Sequence, residues 1–465
     1  MGSLHESSAS HGASDPSPSS LPQAALPLTL VDLLSNSLLL HQTAPYLTVS
    51  ALLALARTCR TLHSLILQSP DSFRYLDLST VRSAVIDASP IDTGGISWRA
   101  ERMDEALTED EFNSGPLRGV FSKLARRNVL RNVSTMVLDG LSVPADIVRE
   151  IIAEDRFNVR ILSIREVKNL RERKLMQILR YAVRPSRPEG TPKLKGLYYF
   201  GPRDPASVGL PSGRNALPPR TPRDRGVMSS EGAQIGAEWN ERSNQALSAV
   251  LARTEDRWYQ ATGRMLRRQP ILEWAETLEA CEGVIHFDAV LCRGPRHDPR
   301  TALSHQASDD LTATVSQYLK PAVAMIALGP SGCAKCGMCA EGPATFGQSP
   351  SSHLPLLSPP PLHSSTIRAA QRPTVIDSAP LPPLIARCED CLRGRWCERC
   401  NKWWDEPCYS TGTRTELQQQ ELMQDLVSGL VTKPQEDIKV HMGLCVERCL
   451  VGEMMAGAGS AGMWG

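Results

Sequence analysis

Val133-Ser134-Thr135-Met136-Val137-Leu138-Asp139-Gly140-Leu141 decides how this 465-residue chain folds, because its apolar residues Val133, Met136, Leu138 and Leu141 fall at offsets of three, two and three. The same spacing occurs at Phe73, Leu76, Leu78 and Val81, and again at Val159, Leu162, Ile164 and Val167. A truncated copy runs through Leu194, Leu197 and Tyr199, and weaker copies start at Val284 and Val323. In an extended segment alternate residues share a face, so each copy reads as a short strand with an inward row of side chains. Helical periodicity follows two of them, through Ile147, Val148, Ile151 and Ile152 and then through Leu175, Ile178 and Leu179. Strand and helix therefore alternate, and units of this kind bury their apolar rows by stacking on their neighbours.

The repeated spacing resembles the leucine-rich repeat, whose strands line one face of a solenoid. The Asn or Cys that commonly follows such a strand is replaced by Val81, Leu141 and Val167, and the repeat lengths are uneven. The expectation is a degenerate repeat domain over residues 83–332, with a generic α/β domain of buried strands as the alternative. A Pro- and Arg-rich stretch near 184–235 reads as a disordered insertion, since prolines at 185, 188, 192, 202, 205, 211, 218, 219 and 222 interrupt both helix and sheet ladders.

Upstream, residues 23–82 form a dense apolar module. Leu30, Leu33 and Leu34 recur at helical spacing behind Thr29, and a second run from Val49 places Leu52, Leu53, Ala56, Cys59, Leu62 and Ile66 on one stripe before Pro70. Leu26-Pro27, Leu33-Leu34, Thr58-Cys59-Arg60-Thr61-Leu62-His63 and Phe73 together resemble the F-box; Thr29 and Phe73 stand where that family commonly has an acidic residue and a Trp. The resemblance implies docking on a Skp-type adaptor and its cullin through Leu26, Pro27, Leu30, Leu33, Leu34, Leu52, Leu53 and Cys59. It also implies that the repeat surface holds a protein substrate for ubiquitination. A helical hairpin that merely caps the next domain is the plainer alternative.

The chemistry is concentrated at the other end. Ten of the thirteen cysteines follow residue 330: Cys333, Cys336, Cys339, Cys388, Cys391, Cys397, Cys400, Cys408, Cys445 and Cys449. A C-x-x-C pair sets two thiolates to chelate one ion, and two pairs complete a tetrahedral site. The expectation is a zinc-stapled region over 333–451 holding two structural zinc ions, with a disordered Pro/Ser-rich loop near 343–384 and Cys333 and its neighbours closing a site with Cys388 and Cys391. Cys59, Cys281 and Cys292 stand apart in apolar surroundings and read as buried core residues. Trp396, Trp403 and Trp404 would cover the metal-stapled fold, and the Trp396-Cys397-x-x-Cys400-Asn401-Lys402-Trp403-Trp404 stretch resembles the tail of a group of fungal F-box proteins. A RING ligase would need a C-x-H-x2-C element, and no His lies between Cys388 and Cys408.

Together these readings give an α+β multi-domain chain: an F-box-like helical module, an irregular leucine-rich-repeat-like α/β solenoid, a small zinc-stapled C-terminal region and disordered Pro-rich insertions. Residues 1–22 read as a disordered tail without a secretory apolar run, and 452–465 as a Gly/Met-rich tail. With 51 Lys plus Arg against 50 Asp plus Glu, no global field draws the chain to nucleic acid or anionic lipid. No apolar stretch reaches the roughly 18 residues of a spanning helix. Unpaired thiols and the missing signal point to an intracellular protein of the cytoplasm or nucleus. No hydrolase triad, phosphate-binding loop or dinucleotide fingerprint stands out, so the expected function is that of a non-catalytic substrate receptor of a Skp-cullin-F-box ligase. A zinc-stabilised interaction scaffold or nuclear binding protein with no ubiquitin role is the alternative.

Overall fold

Thr29 starts the first helix through a capping box: Asp32 N donates to Thr29 Oγ1 at 3.2 Å while Thr29 N donates to Asp32 Oδ2 at 3.0 Å. Helix α1 (Leu30–Ser35) stops at Asn36, whose extended backbone and side chain then cap α2 (Ser37–Thr43). Thr48 caps α3 (Val49–Thr58), and α4 (Arg60–Gln68) follows at once. The expected single stripe from Val49 to Ile66 is therefore two helices, broken at Cys59. Cys59 is exposed, not a core residue, because it is the turning point and its Sγ accepts from Leu62 N to cap α4. Leu34, Leu40, Leu52, Ala56, Leu62 and Ile66 face inward and anchor the module on the next domain.

The computed structural model describes residues 29–84, 109–203, 263–265, 270–298, 318–329, 331–339, 341–372, 383–408, 424, 427–428 and 439–452. The expected N-terminal tail, Leu26, Pro27, most of the insertion beyond 203, and the tail beyond Gly452 lie outside them.

Five of the six apolar spacings lie on one parallel sheet. β1 (Tyr75–Asp77), β2 (Thr135–Val137), β3 (Ile161–Ser163), β4 (Gly196–Tyr198) and β6 (His286–Phe287) pair in that order, each parallel to the next. Between them run α5 (Glu109–Ala125), α6 (Ala145–Ala153), α7 (Glu172–Ala182) and α8 (Glu273–Cys281). The register lines up Leu76, Met136, Leu162, Leu197 and Phe287, all buried, so each strand adds one residue to the same apolar row. Phe200 and Trp274 close the far end of this core against Phe287. Buried carboxylates satisfy the strand ends. Asp288 accepts from Tyr199 N, Phe200 N and Gly201 N at 2.9, 3.0 and 2.8 Å. Asp139 accepts from Arg165 N and pairs with the Arg165 guanidinium at 2.9 Å.

The copy starting at Val323 does not extend this sheet. Its Ile326 and Leu328 form β7 (Ile326–Leu328), which pairs antiparallel with β5 (Gly263–Met265) and β8 (Ile385–Arg387), while Val323 bridges antiparallel to Leu291. Identical apolar spacing thus serves two sheets, because it records burial and not strand direction.

The two Pro-rich stretches are more ordered than their composition suggests. Within 184–203, Arg187 donates to Val183 O and Thr191 O, and β4 follows. Most of the expected loop near 343–384 is a strap laid along the parallel sheet: Leu354, Leu356 and Ala370 are buried, and α9 (Ile367–Gln371) ends it. Leu356 N donates to Phe287 O at 2.8 Å, Tyr198 Oη to Ser358 O at 2.8 Å, and Arg74 Nη2 to His363 O at 2.6 Å. Gly196 makes room for it, since a Cβ there would stand 3.0 Å from Ile367 Cδ1 and 3.4 Å from Leu356 Cδ1. Prolines cannot join a ladder, but a strap that lends its carbonyls to neighbouring donors needs none.

Candidate metal centres

Two tight turns present the thiols. In Cys333-Ala334-Lys335-Cys336-Gly337, Cys333 N donates to Met338 O at 2.9 Å and Gly337 N donates to Cys333 O at 2.8 Å. In Cys397-Glu398-Arg399-Cys400-Asn401, Cys397 N donates to Lys402 O at 2.8 Å and Asn401 N donates to Cys397 O at 2.9 Å. The residue after the second cysteine is left-handed in both, with φ of 71° at Gly337 and 53° at Asn401. Gly and Asn are the residues that tolerate this conformation, so the sequence permits the turn where the chelating pair needs it. Gly332 packs so closely that a Cβ would lie 2.4 Å from Gly337 O.

The Cys397 turn meets a hairpin of β9 (Val440–His441) and β10 (Leu444–Cys445), reversed by Met442 and Gly443 at φ of 48° and 75°. Two successive left-handed residues match the twist of a two-residue hairpin. Glu398 N donates to Gly443 O at 2.9 Å and docks the hairpin on the turn. Cys397, Cys400, Cys445 and Cys449 thereby bring four sulfurs within 4.8 Å of one another, Cys449 coming from the π-helical turn Val446–Leu450. Burial raises the Cys397 thiol, yet the N–H groups of Cys400 and Cys445 outweigh it and hold it at about 7. Burial and its three sulfur neighbours push Cys449 up to about 12. A divalent ion would hold all four as thiolates.

The Cys333 turn gathers Cys333, Cys336, Asp405 and Cys408, again within 4.8 Å. Asp405 lies immediately after the Trp403-Trp404 pair, its N donates to Cys333 Sγ at 3.3 Å, and its Oδ2 accepts from Cys336 Sγ at 3.4 Å. Its other oxygen, Oδ1, is buried without a hydrogen-bond partner. An orphaned carboxylate oxygen beside three thiols fits a cation better than any apolar filling. Hydrogen bonding to Asp405 pushes the Cys408 thiol up to about 12. Three thiolates with a carboxylate, and four thiolates, are both donor sets suited to closed structural zinc.

Around the centres lies a small core. Trp396, Trp403 and Trp404 are buried, Trp396 and Trp403 form an antiparallel bridge, and Cys391, Cys397 and Cys445 are part of the same packed cluster. Glu341 sits buried among cations: Arg395 Nη2 donates to its Oε2 at 3.1 Å, Arg387 Nε lies 3.5 Å from it, and Glu406 N donates to Oε1 at 2.8 Å.

Seven of the ten cysteines expected to bind metal, Cys333, Cys336, Cys397, Cys400, Cys408, Cys445 and Cys449, belong to these two centres. Cys339 is half-buried and belongs to neither, and burial, with the nearby thiols of Cys336 and Cys333, raises its own thiol. The expected closure of Cys333 with Cys388 and Cys391 does not occur. Cys391 gathers instead with Cys292 and His297, and Cys388 Sγ lies 3.1 Å from His297 Nε2. Asp405 and His297 were not legible as ligands, since neither sits in a cysteine pair. Among the expected adaptor contacts, Leu30, Leu33 and Cys59 are exposed, Leu53 is half-buried, and Leu34 and Leu52 are buried in the module's own core. Among the described residues no helix is long and apolar enough to cross a membrane. Neither a protein-family model nor a curated protein matches the chain.

Proposed function

We propose that the chain is the non-catalytic substrate receptor of a Skp-cullin-F-box ubiquitin ligase, with structural zinc holding its C-terminal region. The observation that carries this reading is the apolar face of the helical module. Leu30, Leu33, Leu38 and Leu39 on α1 and α2, with Tyr46 just beyond, are 53, 41, 73, 42 and 69% exposed. Scattered exposed leucines need no explanation, but five large apolar side chains within seventeen residues mark a surface built for a partner. The F-box resemblance names that partner as the Skp-type adaptor. The parallel strands support the leucine-rich-repeat-like reading of the middle, where a protein substrate would be held, and the cullin complex would supply the catalysis.

A second reading draws on the strap over the parallel sheet and on the zinc centres. It makes the chain a zinc-stabilised scaffold or nuclear binding protein with no ubiquitin role. Capture of the purified full chain by a Skp-type adaptor and its cullin separates the two. The double variant Leu33→Asp, Leu38→Asp alters exposed positions only and should keep its circular dichroism. Stoichiometric capture by the native chain, lost in that variant, would support the receptor; no capture by the native chain would leave the scaffold.

A further inference from the structure

We propose that Cys292, His297, Cys388 and Cys391 form a third zinc centre, one that joins the segment leaving the parallel sheet to the antiparallel sheet. The donor atoms of Cys292, His297 and Cys391 lie within 4.8 Å of one another, and Cys388 Sγ is 3.1 Å from His297 Nε2. Cys388 is also hydrogen bonded to the thiols of Cys292 and Cys391, so the four groups converge on one point.

The imidazole is set up as a ligand. His297 Nδ1 lies 3.2 Å from Leu319 O, and a carbonyl can only accept, so the ring proton belongs on Nδ1 and the Nε2 lone pair faces the sulfurs. Metal-binding histidines are commonly fixed in this way. The backbone is shaped for the same end. Gly294 has an ordinary negative φ of −67°, so no conformational demand explains it. A Cβ there would stand 2.1 Å from Cys391 Sγ and 3.5 Å from Cys292 Sγ. Glycine is required because the thiol occupies the side-chain space.

Charge agrees with the geometry. All three cysteines are buried, and three thiolates with a neutral imidazole and a divalent ion leave one net negative charge. Arg395 Nη2 lies 3.6 Å from Cys391 Sγ, and the buried Arg387 packs beside Gly294. Besides one another and the imidazole, these buried thiols meet few donors among the described residues, Arg395 Nη2 at Cys391 Sγ and Cys391 N at Cys388 Sγ being two of them. The centre differs from the other two in using no knuckle turn: Cys388 caps α10 (Glu389–Leu392) and Cys391 lies within that helix. Its other half, far away in the chain, is Cys292 and the short 3-10 turn Pro295–His297 that ends in His297.

The test is the zinc content of the full chain, purified without chelator and measured by native mass spectrometry. Three ions are expected in the native chain, two in His297→Ala, and three again in His297→Cys, which restores a fourth ligand. Gly294→Ala should lose one ion as His297→Ala does. Two ions or fewer in the native chain, or three retained in His297→Ala, would overturn the proposal. If His297→Ala unfolds and sheds all its metal, the native chain and His297→Cys decide between three ions and two.

Discussion

The parallel-strand region and the cysteine-rich region reach burial with different material. Across β1, β2, β3, β4 and β6 the core is a row of Leu, Met and Phe contributed one residue per strand, and every helix between the strands adds an apolar face. The strands are equally short in both regions, but among the described residues the cysteine-rich region sets only the four-residue α10 beside them, where the parallel strands have α5 to α8. The cysteine-rich core packs three tryptophans and the thiols against the aliphatic residues of β7 and β8. The first region gains stability by area, at about 25 cal/mol per Å² of apolar surface removed from water. The second relies on a few strong points. Local failure should therefore be graded in the first region and abrupt in the second.

Removal of metal is the strongest way to break this contrast. Structural zinc contributes apparent binding free energies of roughly 10–16 kcal/mol to small domains, so a strong chelator should unfold residues 331–339, 383–408 and 439–449. The near-ultraviolet dichroism of Trp396, Trp403 and Trp404 should vanish while the far-ultraviolet signal of α6 and α7 persists. Loss of both signals together would show that the two regions share one cooperative unit.

Glu341→Ala comes next, since it leaves Arg387 buried without its carboxylate and Arg395 with Glu406 alone. Breaking a buried pair from one side costs about 3–5 kcal/mol. Hydrogen exchange should accelerate in the 385–405 segment and stay unchanged in β2 and β3. Equal acceleration in both would count against separate strong points.

Leu162→Ala probes the graded region. It empties the middle of the apolar row and should cost about 2–5 kcal/mol, read as a lower denaturant midpoint for α6 and α7. Zinc content should not change; a drop would tie the metal centres to the parallel sheet. Leu38→Asp is expected to have the smallest effect on stability, within about 0.5 kcal/mol, because the side chain is already in solvent. Its thermal midpoint should match the native chain even though adaptor capture is lost. A large fall would mean that Leu38 is structural and would weaken the docking reading.

How far the sequence could be read differs between the regions for the same reason. Met136, Leu162 and Leu197 announce their strands because a buried strand must be apolar at alternate positions. The partner of a strand is not written in that spacing, so the Val323 copy looks like its predecessors and yet enters an antiparallel sheet. Cys397 and Cys400 announce a chelating turn because the spacing itself brings the sulfurs together. Cys292 carries no such sign. Its companions Cys388 and Cys391 lie almost a hundred positions away, and an isolated cysteine among apolar neighbours looks like any core residue. The Pro-rich strap misled for another reason, since composition reports what a segment cannot do alone and is silent about the carbonyls and donors a neighbour provides.

By itself the sequence determined the local units: the strand rows, the capped helices at Thr29 and Thr48, and the two knuckle turns with Gly337 and Asn401. Each depends on residues within a few positions of one another, where covalent spacing fixes which side chains meet. Only the tertiary structure decided which units meet at a distance. It exposed Leu33 and Leu38 while burying Leu34 and Leu52, joined Asp405 to Cys333, and set Cys292 and His297 against Cys391. Such pairings form through packing and electrostatics between segments far apart in the chain, and no local spacing records them.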